Sequence, residues 1–150
     1  GIPFHLVPSE QRLKSERTIL QLLKRHDIDL VVLARYMQIL SPELVFLYQG
    51  KIINIHPSLL PAFPGPRAYT QAYDAGVGVA GVTAHFVTTD LDRGPIIYQE
   101  SFRIDKGSDT LEKTVRRGRA LESRVLARAV HLYCADRLFL RKGKVVWKQE

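Results

Sequence analysis

The 150 residues carry 22 Lys plus Arg against 15 Asp plus Glu, a net charge of +7, with 45% apolar and 25% charged residues. About 150 residues suit one domain able to bury a real core, and this balance excludes global disorder. The single Cys134 excludes an intrachain disulfide and a Cys-rich metal centre, and the purely apolar runs, Leu30 to Ala34 among the longest, fall far short of a membrane span of ~20 residues.

The chain opens Gly1-Ile2-Pro3-Phe4, with neither an initiator Met nor a basic-then-apolar leader pattern, so it is expected to begin inside a larger protein. Phe4 to Val7 reads as a short strand ended by Pro8. Ser9 or Ser15 is expected to cap a helix running to about His26, with Ile19, Leu20, Leu22 and Leu23 on its buried side. Leu30 to Ala34 is a continuous apolar run after a helix, which predicts a parallel strand buried on both faces. Ser41-Pro42-Glu43 marks a helix start by its cap, its proline at the first helical position and its acid in the first turn; the helix should end near Gly50.

Lys51 to Ile55 is the next strand, followed by a Pro-rich loop from Pro57 to Pro66. A short helix is expected near Arg67 to Asp74, then strands at Val79 to Val87 and Ile96 to Ile104, antiparallel because the turn at Asp90 to Pro95 is short. Asp109-Thr110-Leu111-Glu112 reads as an acid-first capping box opening a long helix with Leu111, Val115, Leu121, Val125, Ala129 and Leu132 on one face. Leu138 to Leu140 and Val145 to Trp147 flank Lys142-Gly143 as a terminal hairpin.

Buried strands alternating with helices make an α/β protein, and ligands in such sheets bind beyond the carboxyl ends of the strands. Chemistry is therefore expected just after Ala34 and around Asn54 to His56. Strand alternation sends Asn54 and His56 to one face, and Pro57 stops the strand after the histidine. Asp92, in the turn Asp90-Leu91-Asp92-Arg93-Gly94-Pro95, supplies a carboxylate near a sheet end. An Asn, a His and an Asp form a workable set: the carboxylate orients the imidazole, and the ring and the amide donate to a developing oxyanion. No Ser or Cys has elbow-type spacing, so attack on a carbonyl by a non-protein nucleophile fits better than covalent acyl transfer. No metal-ligand spacing is present.

Asn54-Ile55-His56-Pro57-Ser58-Leu59-Leu60-Pro61-Ala62-Phe63-Pro64-Gly65, with Asp92-Arg93-Gly94-Pro95, strongly resembles the folate-dependent formyltransferase family. Members hydrolyse or transfer the formyl group of 10-formyltetrahydrofolate, and their catalytic Asp follows the His by 36 residues, as Asp92 follows His56. The resemblance implies a Rossmann-like fold with a mixed, mainly parallel sheet, lacking its first βαβ unit and any regulatory domain of the ACT type over residues 1–150. It implies Asn54, His56 and Asp92 as catalytic residues, with Asp92 holding His56 and ordering a water, and Asn54 and His56 steadying the oxyanion. Met37, Ile39, Leu40, Val87 and Thr88 are expected to contact the folate. Arg67 is expected to meet its carboxylates and His85 to reach the site. The folate is a substrate, with no tightly bound cofactor; no nucleic acid or membrane partner is implied, and a cytoplasmic homo-oligomer is expected, with Phe46, Tyr48 and the terminal hairpin as candidate interface. The helix-borne Lys113, Arg116, Arg117, Arg124 and Arg128 read as a solvated face that is also placed to attract a polyglutamate tail.

Two branches stay open. Val31 to Met37, Arg67 to Ala72, Thr83 to Thr88 and Arg116 to Ala129 resemble the branch that hydrolyses the formyl donor to formate and tetrahydrofolate. That branch usually carries His-His-Ser-Phe-Leu-Pro, whereas His56-Pro57-Ser58-Leu59-Leu60-Pro61 resembles the branch that formylates glycinamide ribonucleotide.

Overall fold

A computed structural model of the chain describes residues 1–148. The elements are α1 (Arg12–Arg25), β1 (Val31–Leu33), α2 (Pro42–Leu47), β2 (Ile52–His56), α3 (Ala68–Asp74), β3 (Val79–Phe86), β4 (Ile96–Arg103), α4 (Leu111–Cys134), β5 (Leu138–Arg141) and β6 (Lys144–Trp147). Strands β1 to β4 form one sheet in chain order, and β5 and β6 form a separate hairpin. The α/β class holds, with one correction. Only β1 and β2 run parallel; β2–β3 and β3–β4 are antiparallel, so the sheet of the described residues is mixed rather than mainly parallel. The short turn before Ile96 forces the β3–β4 pairing, because parallel strands need a crossover of a dozen residues or more.

The two faces of this sheet differ in chemistry. Ile53, Val82, Ala84, Phe86 and Ile97 point to one side and pack with Leu121, Val125 and Ala129 of α4. On the other side Ile52, with the partly buried Val31 and Leu33, meets Leu20 of α1 and Leu44 and Val45 of α2. Further along that second face the strands turn polar: Asn54 lies opposite His85, and His56 opposite Thr83. The strand period of two produces this division, and the helix placement follows from it.

Local signals explain most element ends. Ser41 Oγ accepts from the Leu44 amide at 3.3 Å, with Pro42 at the first helical position. Glu16 of α1 reaches the same helix start, its buried carboxylate accepting from the Ser41 amide at 3.0 and 3.1 Å. Gly118 lets α4 lie against the Tyr69 ring of α3, and the Tyr69 hydroxyl donates to Glu122 at 2.8 Å. Burial, then the Glu122 bond, push the Tyr69 phenol far above its ordinary value.

Other expectations are corrected. Phe4 to Val7 is not a strand: Phe4 and Leu6 are more than four-fifths exposed and pair with no strand among the described residues. Helix α1 begins after Gln11 without a side-chain cap, and Ser15 lies inside it, donating to the Pro8 and Gln11 carbonyls. Among the described residues β1 pairs with β2 alone and its Val32 is exposed, so the expected burial on both faces is not met there. Thr110 caps α4 in place of Asp109, whose carboxylate instead takes the Asp105 amide and Arg117. Tyr48 belongs to the core beside α2, which removes it from a candidate interface; Phe46, Phe139 and Leu140 are exposed. Among the described residues no helix is long and apolar enough to cross a membrane.

Candidate active site

The polar end of the sheet opens into a cleft of about 350 Å³. Strand β2 delivers Asn54 and His56, the Pro57–Pro66 loop closes one side, the segment after β1 forms the opposite wall, and the turn after β3 brings Asp92. Asp92 has φ +53°, a left-handed conformation that an Asp adopts more readily than most residues. Gly94 lies directly against the Phe86 carbonyl, where a Cβ has no room, so the turn folds tightly back on β3.

His56 is 5% exposed and has an acceptor at each ring nitrogen. Its Nε2 donates to the Phe63 carbonyl at 3.0 Å, and its Nδ1 lies 3.4 Å from Asp92 Oδ2. A doubly protonated ring would thus find a partner at both ends. The same Asp92 oxygen accepts the Gly65 amide at 2.9 Å. Asp92 Oδ1 lies 4.0 Å from His85 Nε2.

His85 is buried on β3, opposite Asn54. A register shift between Ala84 and His85 sets its position against β4, and such bulges re-aim side chains. Its Nδ1 donates to the Phe86 carbonyl at 2.9 Å, which leaves Nε2 to accept from the Asn54 amide at 3.3 Å. Burial lowers its pKa from 6.5, partly offset by the Phe86 bond and by Asp92, so the ring is neutral at neutral pH. One Asn54 N–H is thereby fixed and the other remains for a ligand.

The loop is pinned from below. Thr83 Oγ1 donates to the Ser58 carbonyl at 2.7 Å and accepts from the Leu60 amide at 3.0 Å and Gln99 Nε2 at 2.8 Å. Gln71 Nε2, from α3, donates to the Pro66 carbonyl at 2.8 Å and the Pro64 carbonyl at 3.3 Å.

All ten singled-out residues line this one cleft. Met37 is 83% and Ile39 55% exposed there, giving an apolar wall, whereas Leu40 is buried in the α2 core and borders the cleft from beneath. Val87 and Thr88 lie at the turn's start, and Arg67 lies at the entry to α3 with φ +56°. Arg35, also at positive φ, joins them on the rim. The sequence reading missed the backbone contributors, the Phe63 carbonyl and the Gly65 amide, together with Gln71; the one signal for them was Gly65 set between Pro64 and Pro66. The basic face of α4 does not present five unengaged cations, because Arg117 pairs with Asp109 and Arg124 with Glu100. Among the described residues no group of three or more His, Cys, Asp or Glu is arranged to hold a metal ion.

An Asn–His–Asp cleft at the polar edge of a mixed α/β sheet defines a class, and the family model for formyl transferase matches residues 1–130. The chain belongs to the formyl transferase family. It is 45% identical over 148 residues to formyltetrahydrofolate deformylase of Bacillus subtilis, covering 97% of this chain and 49% of that protein. The Haemophilus influenzae formyltetrahydrofolate deformylase is 44% identical, with 97% and 53% covered. The chain thus spans about half the length of these curated relatives. The crystal structure of a Pseudomonas syringae formyltetrahydrofolate deformylase superposes with a TM-score of 0.93 at 41% identity, over 99% of this chain and 50% of that one. A phosphoribosylglycinamide formyltransferase from Anaplasma phagocytophilum superposes at 0.92 with 40% identity, over 99% and 72%.

Proposed function

We propose that the protein hydrolyses 10-formyltetrahydrofolate to formate and tetrahydrofolate. The observation that carries this reading is the convergence of Asn54, His56 and Asp92, distant along the chain, on one cleft beside an apolar wall. The curated relatives cited above, named as deformylases at 44–45% identity, favour water as the acceptor.

In this reading Met37, Ile39, Leu40, Val87 and Thr88 hold the pterin ring, and Arg67 meets the anionic tail. The formyl group then lies between His56 and Asn54. Asp92 orients a water through Oδ1 and takes one of its protons as the oxygen attacks the formyl carbon. The free Asn54 N–H receives the oxyanion, and His56 joins it when its Nε2–H turns from the Phe63 carbonyl to the substrate. The bond from carbon to N10 then breaks, its electron pair stays on N10, and a proton returns there, releasing formate. His85 keeps the Asn54 amide turned toward the substrate. Folate serves as a substrate and not as a resident cofactor; a cytoplasmic homo-oligomer, associating over exposed residues such as Phe46, belongs to the same reading.

Asp92→Asn keeps the shape and removes the base, so formate release should fall by about 10²–10⁴-fold with the fold retained. Unchanged turnover overturns the mechanism. A second reading, transfer to an amine such as glycinamide ribonucleotide, is favoured by Pro57 and Leu59. Formylated product instead of formate, when that amine is supplied, would decide for it.

A further inference from the structure

We infer that Gln71 is a positioning residue for the Asp92–His56 pair, acting through the Pro64–Gly65 peptide; the inference rests on the reading of that pair as catalytic. The Pro64 carbonyl and the Gly65 amide belong to one peptide unit, which is planar and trans, so its C=O and N–H point in opposite directions. Both poles are held. Gln71 Nε2 donates to the Pro64 carbonyl at 3.3 Å, and the Gly65 amide donates to Asp92 Oδ2 at 2.9 Å. The same Gln71 nitrogen donates to the Pro66 carbonyl at 2.8 Å, clamping the segment on the far side of Gly65.

This clamp has a reason to exist. Gly65 sits at φ +81°, where glycine is free to move, and a Cβ there would meet nothing within 4 Å. With open space beside its Cα, hydrogen bonds at both poles hold the peptide plane. A flipped peptide would turn its carbonyl oxygen onto the Asp92 carboxylate and remove the N–H that holds it. Two residues upstream, the Phe63 carbonyl accepts His56 Nε2, so the same short stretch touches both members of the pair. Gln71 is anchored on α3, its own amide bonded to the Arg67 carbonyl at 3.0 Å. A donor to the peptide carbonyl also polarises the unit and strengthens its N–H as a donor.

The experiment compares Gln71→Ala, Gln71→Glu and Tyr73→Phe in the full-length protein. Formate release and the amide exchange of Gly65 by NMR are the two readouts. Gln71→Ala should lower kcat about tenfold with KM within about twofold, the loss of a neutral hydrogen bond being of that size. Gly65 exchange should speed up by about the same factor. Gln71→Glu keeps the length but sets an acceptor against two carbonyls, and should be at least as impaired; a residue that merely fills space would leave it near wild type. Tyr73→Phe, on the same helix, removes only the bond to the Asp109 carbonyl at 3.1 Å and should leave kcat and Gly65 exchange unchanged. Wild-type kcat and Gly65 protection in both Gln71 variants overturn the inference. A wild-type protein that releases no formate overturns the hydrolase reading instead, and the Gly65 measurement still decides whether the clamp exists.

Discussion

Gly94→Ala is a minimal change with a large expected consequence. A Cβ built at Gly94 falls 2.8 Å from the Phe86 carbonyl carbon, closer still to its oxygen, and 3.3 Å from His85 Nδ1, whereas ordinary contact begins at 3.4 Å. The obstacle is backbone, and no side chain can swing away to make room. The Phe86 carbonyl also accepts the His85 Nδ1 proton at 2.9 Å, and the Phe86 amide donates to the Pro95 carbonyl at 2.9 Å. The turn must therefore lift off β3, which carries Asp92 away from His56 and frees His85 to rotate away from Asn54. Overpacking of this kind costs about 1–3 kcal/mol, and a backbone clash belongs at the upper end. At roughly 2–4 °C per kcal/mol, Tm should fall by about 6–12 °C. A displacement near 1 Å at a catalytic group costs about 100-fold, so kcat should drop by that order even where the protein is folded. Gly78→Ala is the control: nothing lies within 4 Å of its Cβ, and stability should stay within about 0.5 kcal/mol. Thermal melts with formate release at a temperature well below both transitions provide the assay. A Gly94→Ala protein with wild-type Tm and kcat would refute the claim that this turn's contact with β3 sets the site.

Gly118→Ala pushes a methyl into the Tyr69 ring, which Glu122 holds, and should lower stability by about 1–3 kcal/mol in chemical denaturation; a midpoint unchanged from wild type would mean that Tyr69 moves aside freely. Glu16→Ala strips both acceptors from the buried Ser41 amide and should cost about 1–3 kcal/mol, together with a raised KM because Ser41 anchors the segment that runs from Met37 to Leu40. His85 gives a pH signature. Its folded pKa lies below 6.5, so between the two values the unfolded chain binds more protons; stability is fully present above pH 6.5 and is lost as pH falls through the folded value. Denaturation midpoints between pH 5 and pH 7.5 should fall less steeply on the acid side for His85→Gln, and parallel curves for the two proteins would contradict burial of a neutral ring.

Short-range signals in the sequence were dependable where one residue acts on its own neighbours. Ser41-Pro42-Glu43 starts α2, and the spacing of Leu121, Val125, Ala129 and Leu132 places one face of α4 on the sheet. They failed where two candidates competed for one role. Asp109 and Thr110 are both capping residues, and the choice between them fell to Arg117 and the Asp105 amide, which claim the Asp109 carboxylate from elsewhere. An apolar run such as Leu30 to Ala34 does not say which neighbours flank it; among the described residues β1 pairs with β2 alone and Val32 is exposed, a tertiary matter. The side-chain constellation was legible from its long motif. Its geometry was not: the Asn54–His85 bond joins residues 31 apart through strand register, and the groups that hold His56 and Asp92 are a carbonyl and an amide, which every residue has.

The structure also narrows what the mixed character of the motif means. This chain departs from the hydrolytic pattern at two positions, Pro57 and Leu59. The Leu59 side chain packs on β3 beneath the loop, where a Cβ at Gly81 would come within 2.6 Å of its Cδ2, and it does not line the cleft. A leucine or a phenylalanine there changes how the loop beds on the sheet, not what the formyl carbon meets. Pro57 does line the cleft, next to His56, and it has no amide hydrogen to offer. Of the two departures, only the one at Pro57 lies in the cleft. The cleft is lined by Pro57 and His56 and by the segment after β1; under the proposed function, discrimination between water and an amine would act through that boundary.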